Sequence, residues 1–444
     1  MATQLSRTFG SQGNQRKFTI STWVKRNKLG TTQSFFGSGG ATNYSTAMYF
    51  RGSDDTIVFY NYFNGAYAGQ KYSSASYRDT SAWYHIVFRV DTTSATASER
   101  MRIYVNGEEI SYATSNNPNQ NQTMEVGHTG THYIGGYGTG AQAEMCMSHY
   151  HYCDGQSYAP TEFGEYDANG VWKIKLEPSV SYGVSGHFLF NNDASVTDQS
   201  GLGNNWSVNG GTLTKTEDNP SNVFATMNPL TNFYQNSTFS NGNNRIVTTN
   251  DGVYNYNEST LGMSSGKYYM EVKYITSTRP TSDFARFGIV NAPSNRTLNT
   301  VGYGLYEYGY YTYNGKIVNN NLQTDYGDTF TDNDIIGIAV DLDNNKLYFS
   351  KNGVWQNSGD PTSGATGTGA ISITPASDNG TGFYFFAGGE EDGTYGVTFE
   401  TNFGNGYFGT TAVASAGTNA SGNGIFEYDV PTGYTALSTK GLNL

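Results

Sequence analysis

Four of the six histidines, His128, His132, His149 and His151, fall within 24 residues. In MCMSHYHYCD, His149 and His151 alternate with Tyr150 and Tyr152, so on a strand the two imidazoles share one face. An HxH pair gathered at a trimer axis can hold iron or zinc. The bland reading puts Tyr150 and Tyr152 in a core and leaves the histidines on a polar outer or interface face. With no acid placed to complete a ligand set, that second reading is preferred. His85, inside WYHIVFRV, reads as a sheet residue rather than a catalytic base. Calcium needs hard oxygen ligands, and Asp54, Asp55 (RGSDDTIVF) and Asp91 (VDTTS) are the carboxylates that offer them. The same residues serve ordinary turns. No metal site is assigned; calcium is the one cofactor the sequence allows.

Acid–base chemistry would need two carboxyls held close together, ~5–5.5 Å apart for a retaining glycosidase. Glu165 and Asp167 flank Tyr166, but ANG follows and reads as a turn. Glu390, Glu391 and Asp392 in GGEEDGTYG read as a solvated loop. There is no EF-hand spacing, no phosphate-cradling GxxxxGK and no defensible Ser-His-Asp signature. The remaining chemistry is that of tyrosine. In YGLYEYGYYTY, alternation places Tyr306, Tyr308 and Tyr310 on one face and Tyr311 and Tyr313 on the other. FYNYFNGAYAGQKY supplies Tyr60, Tyr62 and Tyr67. One face of such a strand can be core and the other a platform that stacks on sugar rings or a peptide, with hydroxyls giving orientation. Cross-strand packing is the competing account for any single ring.

These side chains would have to be carried by strands. FTISTWVKR, WYHIVFRVD, YYMEVKYIT and IIGIAVDLD have strand residues and strand lengths. Asn106-Gly107, Asn314-Gly315 and Asn352-Gly353 sit between alternating runs and predict two-residue hairpin turns. Only PTEFGE, after Pro160, looks helical. Cys146 and Cys153 on one strand would stand ~23 Å apart, too far for a disulfide, so both are expected as free, buried thiols.

Charged residues are 14% of the chain and aromatics 15%, the reverse of a disordered composition. The net charge of −12, with no Lys/Arg cluster, argues against nucleic acid. No apolar run reaches the ~20 residues of a membrane span. The start MATQLSRTFGSQGNQRKFTIS has no apolar signal core, which predicts synthesis in a cytoplasm and arrival outside by assembly into a particle.

FTISTWVKR, WYHIVFRVDTT and RIYVNGEEI resemble the concanavalin A-like sandwich of the laminin-G type. GKYYMEVKY, ARFGIVNA, YGLYEYGYYTYNGKIVNN and DIIGIAVDLDNNKLYFSKNGVWQNSGDP resemble the successive strands of a SPRY domain. The joining pieces YCDGQSYAPTEFGEYDANGVWKIK, DQSGLGNNWSVNGGTLTKTEDNPSNVFATMNP and VPTGYTALSTKGLN look like segments of large structural proteins of marine tailed bacteriophages. Concanavalin A-like folds also host glycosidases with E-x-D-x-x-E on one strand. Here Gly170 stands where the third acid would follow Glu165 and Asp167.

Together these readings predict an all-β chain of two antiparallel, jelly-roll-like β-sandwiches. Residues 1–213 would form the lectin-like sandwich, 214–230 a linker, 231–405 the SPRY-like sandwich, and 406–444 a Gly/Ala/Ser/Thr-rich loop ending in a strand. The resemblance implies a virion protein without enzymatic activity: a tail-fibre or appendage subunit that binds host-surface glycan or protein through its sandwich loops. It would meet other virion proteins and associate with itself, as a trimer in one form. The rivals are a capsid decoration or head-fibre subunit and, against the broken carboxylate motif, a polysaccharide depolymerase.

Overall fold

The computed structural model describes residues 3–41, 43–138, 142–191, 194–231, 237–249, 254–278, 284–291, 300–391 and 394–443. The chain divides into two compact units, Met1–Lys215 and Thr216–Leu444. Both are antiparallel β-sandwiches, with helix limited to short 3-10 turns among the described residues. None of those is long and apolar enough to cross a membrane.

In the first unit an eight-stranded sheet runs in the order Tyr112–Asn116, Ala66–Ser76, Thr56–Phe63, Tyr44–Phe50, Gln33–Ala41, Thr131–Ile134, Leu5–Thr8 and Ser207–Val208. A six-stranded sheet runs His187–Leu189, Met145–Asp154, Lys17–Arg26, Trp83–Asp91, Met101–Val105 and Glu108–Glu109. Period-two alternation builds the core. Phe18, Ile20 and Val24 of one sheet meet Ile57, Phe59, Phe35 and Met48 of the other, with Ile86 and Phe88 beside them, all fully buried. Each such side chain contributes about 1.5–3 kcal/mol on burial.

The outer face of the six-stranded sheet is also covered. The segment after Asp154 folds back over it, bringing Phe163 and Tyr182 onto His151 and the Trp172 ring onto His85, while Phe188 stacks on His151 from the neighbouring strand. This is why His149 and His151 are 4% and 1% exposed instead of lying on a polar outer face. Nor do they stand in simple alternation: the pairing register shifts between Ser148 and His151, and His149 takes a left-handed φ of 48°. Tyr150 and Tyr152 do point into the core.

In the second unit the larger sheet orders Thr238–Ser240, Arg245–Val247, Val397–Asn402, Lys267–Ser277, Ile335–Asp341, Lys346–Lys351 and Val354–Trp355. Ile371–Ser372 and a parallel Thr435–Ala436 attach to this path, making nine strands. The facing sheet orders Asn255–Glu258, Phe385–Glu390, Ala285–Val290, Tyr308–Tyr311, Lys316–Asn319 and Leu322–Asp325. Met270, Val272, Tyr274, Phe287, Ile289, Ile338, Phe349 and Phe399 fill the space between them.

Two segments differ from their sequence reading. Residues 216–227 are packed rather than a free linker, since Phe224, Ala225 and Met227 are each 1% exposed. Residues 404–443 are also more than a loop: Phe426, Val430, Tyr434 and Ala436 join Phe224, Tyr269, Ala339 and Tyr348 in a separate apolar cluster.

At Asn106-Gly107 and Asn352-Gly353 both residues have positive φ, as a type I′ turn requires. At Asn314-Gly315 only the glycine does, and the loop spans residues 312–315, with the Gly315 N–H donating to Tyr311 O. PTEFGE supplies one 3-10 turn, Pro160–Glu162. Both cysteines lie on the strand Met145–Asp154 and neither is in a disulfide; Cys153 is buried and Cys146 half-buried.

Candidate functional site

The two tyrosine runs end in opposite environments. Tyr308 and Tyr310 point into the core of the second unit at 5% and 0% exposure. The Tyr310 hydroxyl donates to Asp328 O, and the Tyr308 hydroxyl accepts from Thr374 N (3.1 Å). Tyr306, just before that strand, is half-buried. Tyr308 and Tyr310 therefore belong to no exposed platform; the facing sheet covers their side of the strand. Tyr310→Phe is expected to cost about 0.5–1.5 kcal/mol in denaturant unfolding, the worth of one hydrogen bond, and to leave binding at other surfaces unchanged.

Tyr60, Tyr62 and Tyr67 stand differently. On Thr56–Phe63, Ile57 and Phe59 face the core, so Tyr60 and Tyr62 lie on the outer face of the eight-stranded sheet. There the sheet register gathers further aromatic side chains. One cross-strand row reads Ser6, Tyr133, Gly37, Ala47, Tyr60, Gln70. Gly37 and Ala47 form its low floor, and the Tyr137 ring lies over Gly37, where a Cβ would come within 2.5 Å of it. Tyr49 and Tyr72 flank the row through the pairs Tyr49 with Val58 and Val58 with Tyr72. Tyr49 and Tyr60, Tyr60 and Tyr67, and Tyr62 and Tyr67 meet edge-on with centroids 6.2, 5.6 and 5.2 Å apart. Edge-on rings hold one another upright and leave faces open. Tyr67 is 56% exposed, and Tyr49, Tyr60, Tyr62, Tyr72, Tyr133 and Tyr137 are half-buried.

The face is polar without being strongly charged. Burial first, then neighbouring phenols, raise the Tyr49 hydroxyl, and burial raises that of Tyr60, so both remain neutral donors. Arg51, 4.7 Å above the Tyr72 ring, is held by Asp54 through its Nε (2.9 Å) and a second nitrogen. That pairing holds the Asp54 carboxyl at about 2. Such a surface can stack on the C–H face of a sugar or a flat peptide group and offer hydroxyls and the Gln70 amide at its rim. Of these residues the sequence reading singled out only Tyr60, Tyr62 and Tyr67. Tyr49, Tyr72, Tyr133 and Tyr137 come from strands whose order in the sheet no local pattern reveals.

The carboxylates weighed for calcium have other work. Asp54 holds Arg51 and Thr56. Asp55, 3% exposed, lies between Arg26 (2.9 Å) and Arg78 (3.0 Å) and accepts from Gly30 N. Asp91 caps the turn at Thr93 and faces Lys17 at 3.5 Å. Among the described residues no group of three His, Cys, Asp or Glu side chains is gathered as for a metal. His149 Nδ1 meets Ser148 Oγ at 2.7 Å, and His151 Nδ1 meets Tyr182 Oη at 2.8 Å. Burial lowers the pKa of both rings, that of His149 to about 4.

His85 makes the nearest approach to catalytic geometry, with Nε2 2.8 Å from Ser21 Oγ. The Trp172 indole N–H donates to His85 Nδ1 at 3.0 Å, so in the neutral ring Nε2 carries the proton and donates to the serine. A base needs its lone pair there instead. The ring is wholly buried between Trp23 and Trp172, which lowers its pKa to about 3. Glu165 pairs with Lys175 (3.9 Å) and Asp167 with Lys173 (2.8 Å) at the surface. Glu390 ends a strand and is fully buried, and Glu391 pairs with the buried Arg286, so neither belongs to a solvated loop; Asp392 lies outside the described residues.

Two sandwiches of this kind, one exposing a tyrosine face, define a protein whose surfaces suit binding. Comparison with known proteins specifies the domains. Residues 4–144 match the concanavalin A-like lectin/glucanases superfamily and residues 267–389 match the SPRY domain. The chain thus carries a concanavalin A-like domain followed by a SPRY domain, a combination that suggests a binding or adhesion role. A Ran-binding proteins 9/10 homolog of Drosophila melanogaster is 37% identical over 93 residues, which is 20% of this chain and 9% of that protein. The chain therefore spans only a small part of that relative's length. Among solved structures, the SPRY domain of human HERC1 is similar at 16% identity and a TM-score of 0.30, covering 39% of this chain and 96% of that one. Stonustoxin is similar at 18% identity and a TM-score of 0.30, covering 40% of this chain and 27% of that one.

Proposed function

We propose that this chain is a non-enzymatic virion protein, a tail-fibre or appendage subunit of a tailed bacteriophage that holds a host-surface glycan or protein on its N-terminal sandwich. The observation that carries the binding half of this reading is the tyrosine face around Tyr60, Tyr62 and Tyr67. It replaces the sandwich loops as the contact surface, because rigid strands place the rings without the ordering cost of a mobile loop. The virion half rests on the joining segments, whose sequences resemble phage structural proteins. The lack of catalysis is supported by the protonation of His85 toward Ser21 and by the ion-paired carboxylates. Self-association, as a trimer or otherwise, belongs to the same proposal, as does assembly with other virion proteins.

Antibody labelling of intact particles in the electron microscope tests the location. Label on tail appendages is the expected result. Label confined to the head would replace the appendage by a decoration subunit, and unlabelled particles would end the virion reading. Reducing-end release from host polysaccharide incubated with the purified chain would overturn its non-enzymatic character.

A further inference from the structure

All six histidines of the chain lie in the first unit, and five of them are buried there. Two of the five are held in the neutral form by their hydrogen bonds. His85 Nδ1 accepts the Trp172 indole N–H at 3.0 Å, and His132 Nε2 accepts the Gly127 backbone N–H at 3.0 Å. Neither donor can turn round and accept, so a proton on either nitrogen must break its bond. The second nitrogen of each ring is already engaged. His85 Nε2 meets Ser21 Oγ at 2.8 Å, and His132 Nδ1 meets Gly130 O at 2.9 Å.

The surroundings of both rings disfavour a charge. His85 lies between the Trp23 and Trp172 rings, with centroids 4.8 and 5.8 Å away. The titratable group that acts on it is His151, which pairs with Ser21 on the neighbouring strand and is itself buried. His132 meets Phe9 edge-on at 4.8 Å and Phe36 at 5.7 Å. In the sheet register Arg7 stands directly opposite it, and the His128 ring lies at 4.6 Å. His187 acts on it as a third potential cation, while Asp198 acts on Arg7 and His187. Glu125 stands 3.9 Å from the half-buried His128 and serves that ring.

We propose that the first unit is an acid-labile module: its fold holds only while His85 and His132 are neutral, and in mild acid it unfolds while the second unit stays folded. This concerns the fold that carries the tyrosine face and does not depend on which ligand that face takes. Burial lowers both rings from 6.5 to about 3, the direction their hydrogen bonds require. Unfolding returns each to its ordinary value, so below about pH 6.5 the unfolded unit binds more protons than the folded one. The stability these rings lend is therefore complete above that value and is lost as pH falls toward 3. From pH 7 to 4.5 each ring should favour unfolding by roughly 70-fold, and the two together by about 5,000-fold. That window lies above the ordinary carboxyl range of about 3.9–4.3.

Native-state hydrogen exchange of the full chain, read by mass spectrometry and corrected for the intrinsic rate at each pH, tests this. The most protected amides of Lys17–Arg26 and Trp83–Asp91 should lose about three to four orders of magnitude of protection between pH 7 and 4.5. Those of Ala285–Val290 and Ile335–Asp341 should keep theirs. In His85→Asn and in His132→Gln, whose uncharged amides can take the same N–H bond, the loss should shrink by roughly 70-fold. Imidazole signals of the wild-type chain supply a measurement that needs no variant to fold: those of His85 and His132 should not titrate above pH 5. A loss below about tenfold in the first unit, an equal loss in the second, a variant that keeps the wild-type pH dependence, or titration of either ring above pH 5 would each overturn the proposal.

Discussion

Asp55→Ala is expected to destabilise the N-terminal sandwich by about 3–5 kcal/mol, the cost of stranding a buried charge. Arg26 has no exposed side-chain surface, and its guanidinium lies 4.2 Å over the Phe50 ring. Asp55 is its counter-charge at 2.9 Å, and the carbonyls of Tyr77 and Lys28 take further protons. Burial already lowers the Arg26 pKa, and the Asp55 carboxylate is what opposes that shift. Removing the carboxylate leaves the cation in a dry site. It also frees Arg78, whose mostly exposed side chain finds water at little cost. For a unit of this size the loss corresponds to a fall in Tm of roughly 6–20 °C. A double change, Arg26→Met with Asp55→Leu, should recover more than half of it, since neither charge is then stranded. Calorimetry with and without a chelator separates this role from calcium binding. A chelator that lowers the wild-type transition as far as D55A does would make Asp55 a metal ligand. A D55A loss below about 1 kcal/mol would remove the ion pair from the account.

Legibility in the sequence followed the range of the forces involved. The two sandwiches could be read because strand alternation and left-handed Asn-Gly turns are decided within a few residues. Asn106-Gly107 and Asn352-Gly353 are the plainest cases. The tyrosines show where that ends. Tyr308 and Tyr310 alternate as Tyr60 and Tyr62 do, yet one pair is core and the other lies on the outer face. The difference lies in what covers each face, which is set by segments distant in sequence. The same cause buried His149 and His151: the chain beyond Asp154 returns over their sheet. The Ala/Gly/Ser/Thr-rich end looked like a loop because its buried anchors, among them Phe408, Phe426, Val430 and Tyr434, are widely spaced.

Replacing Tyr60, Tyr62 and Tyr67 together by alanine is expected to weaken attachment to host cells, or to their purified surface polysaccharide, by about 100-fold. Each ring packing against a ligand is worth about 0.5–1.5 kcal/mol beyond its buried area, so three rings together supply about 3 kcal/mol. The fold should tolerate the change. These side chains lie outside the core cluster, and outer-face substitutions usually move stability by no more than about 0.5 kcal/mol each. The triple phenylalanine variant divides the contribution further. It keeps the stacking surfaces and removes the hydroxyls, among them the Tyr62 donor to Gly65 O at 2.7 Å. Retention of most of the affinity would assign recognition to the ring faces, whereas a loss equal to that of the alanine variant would assign it to hydrogen bonding. Titration of labelled protein onto cells, with Tyr310→Phe as the stability control, provides the measurement. Binding by the alanine variant within threefold of wild type would move recognition away from this face, because no ligand that rests on it could lose three rings unnoticed.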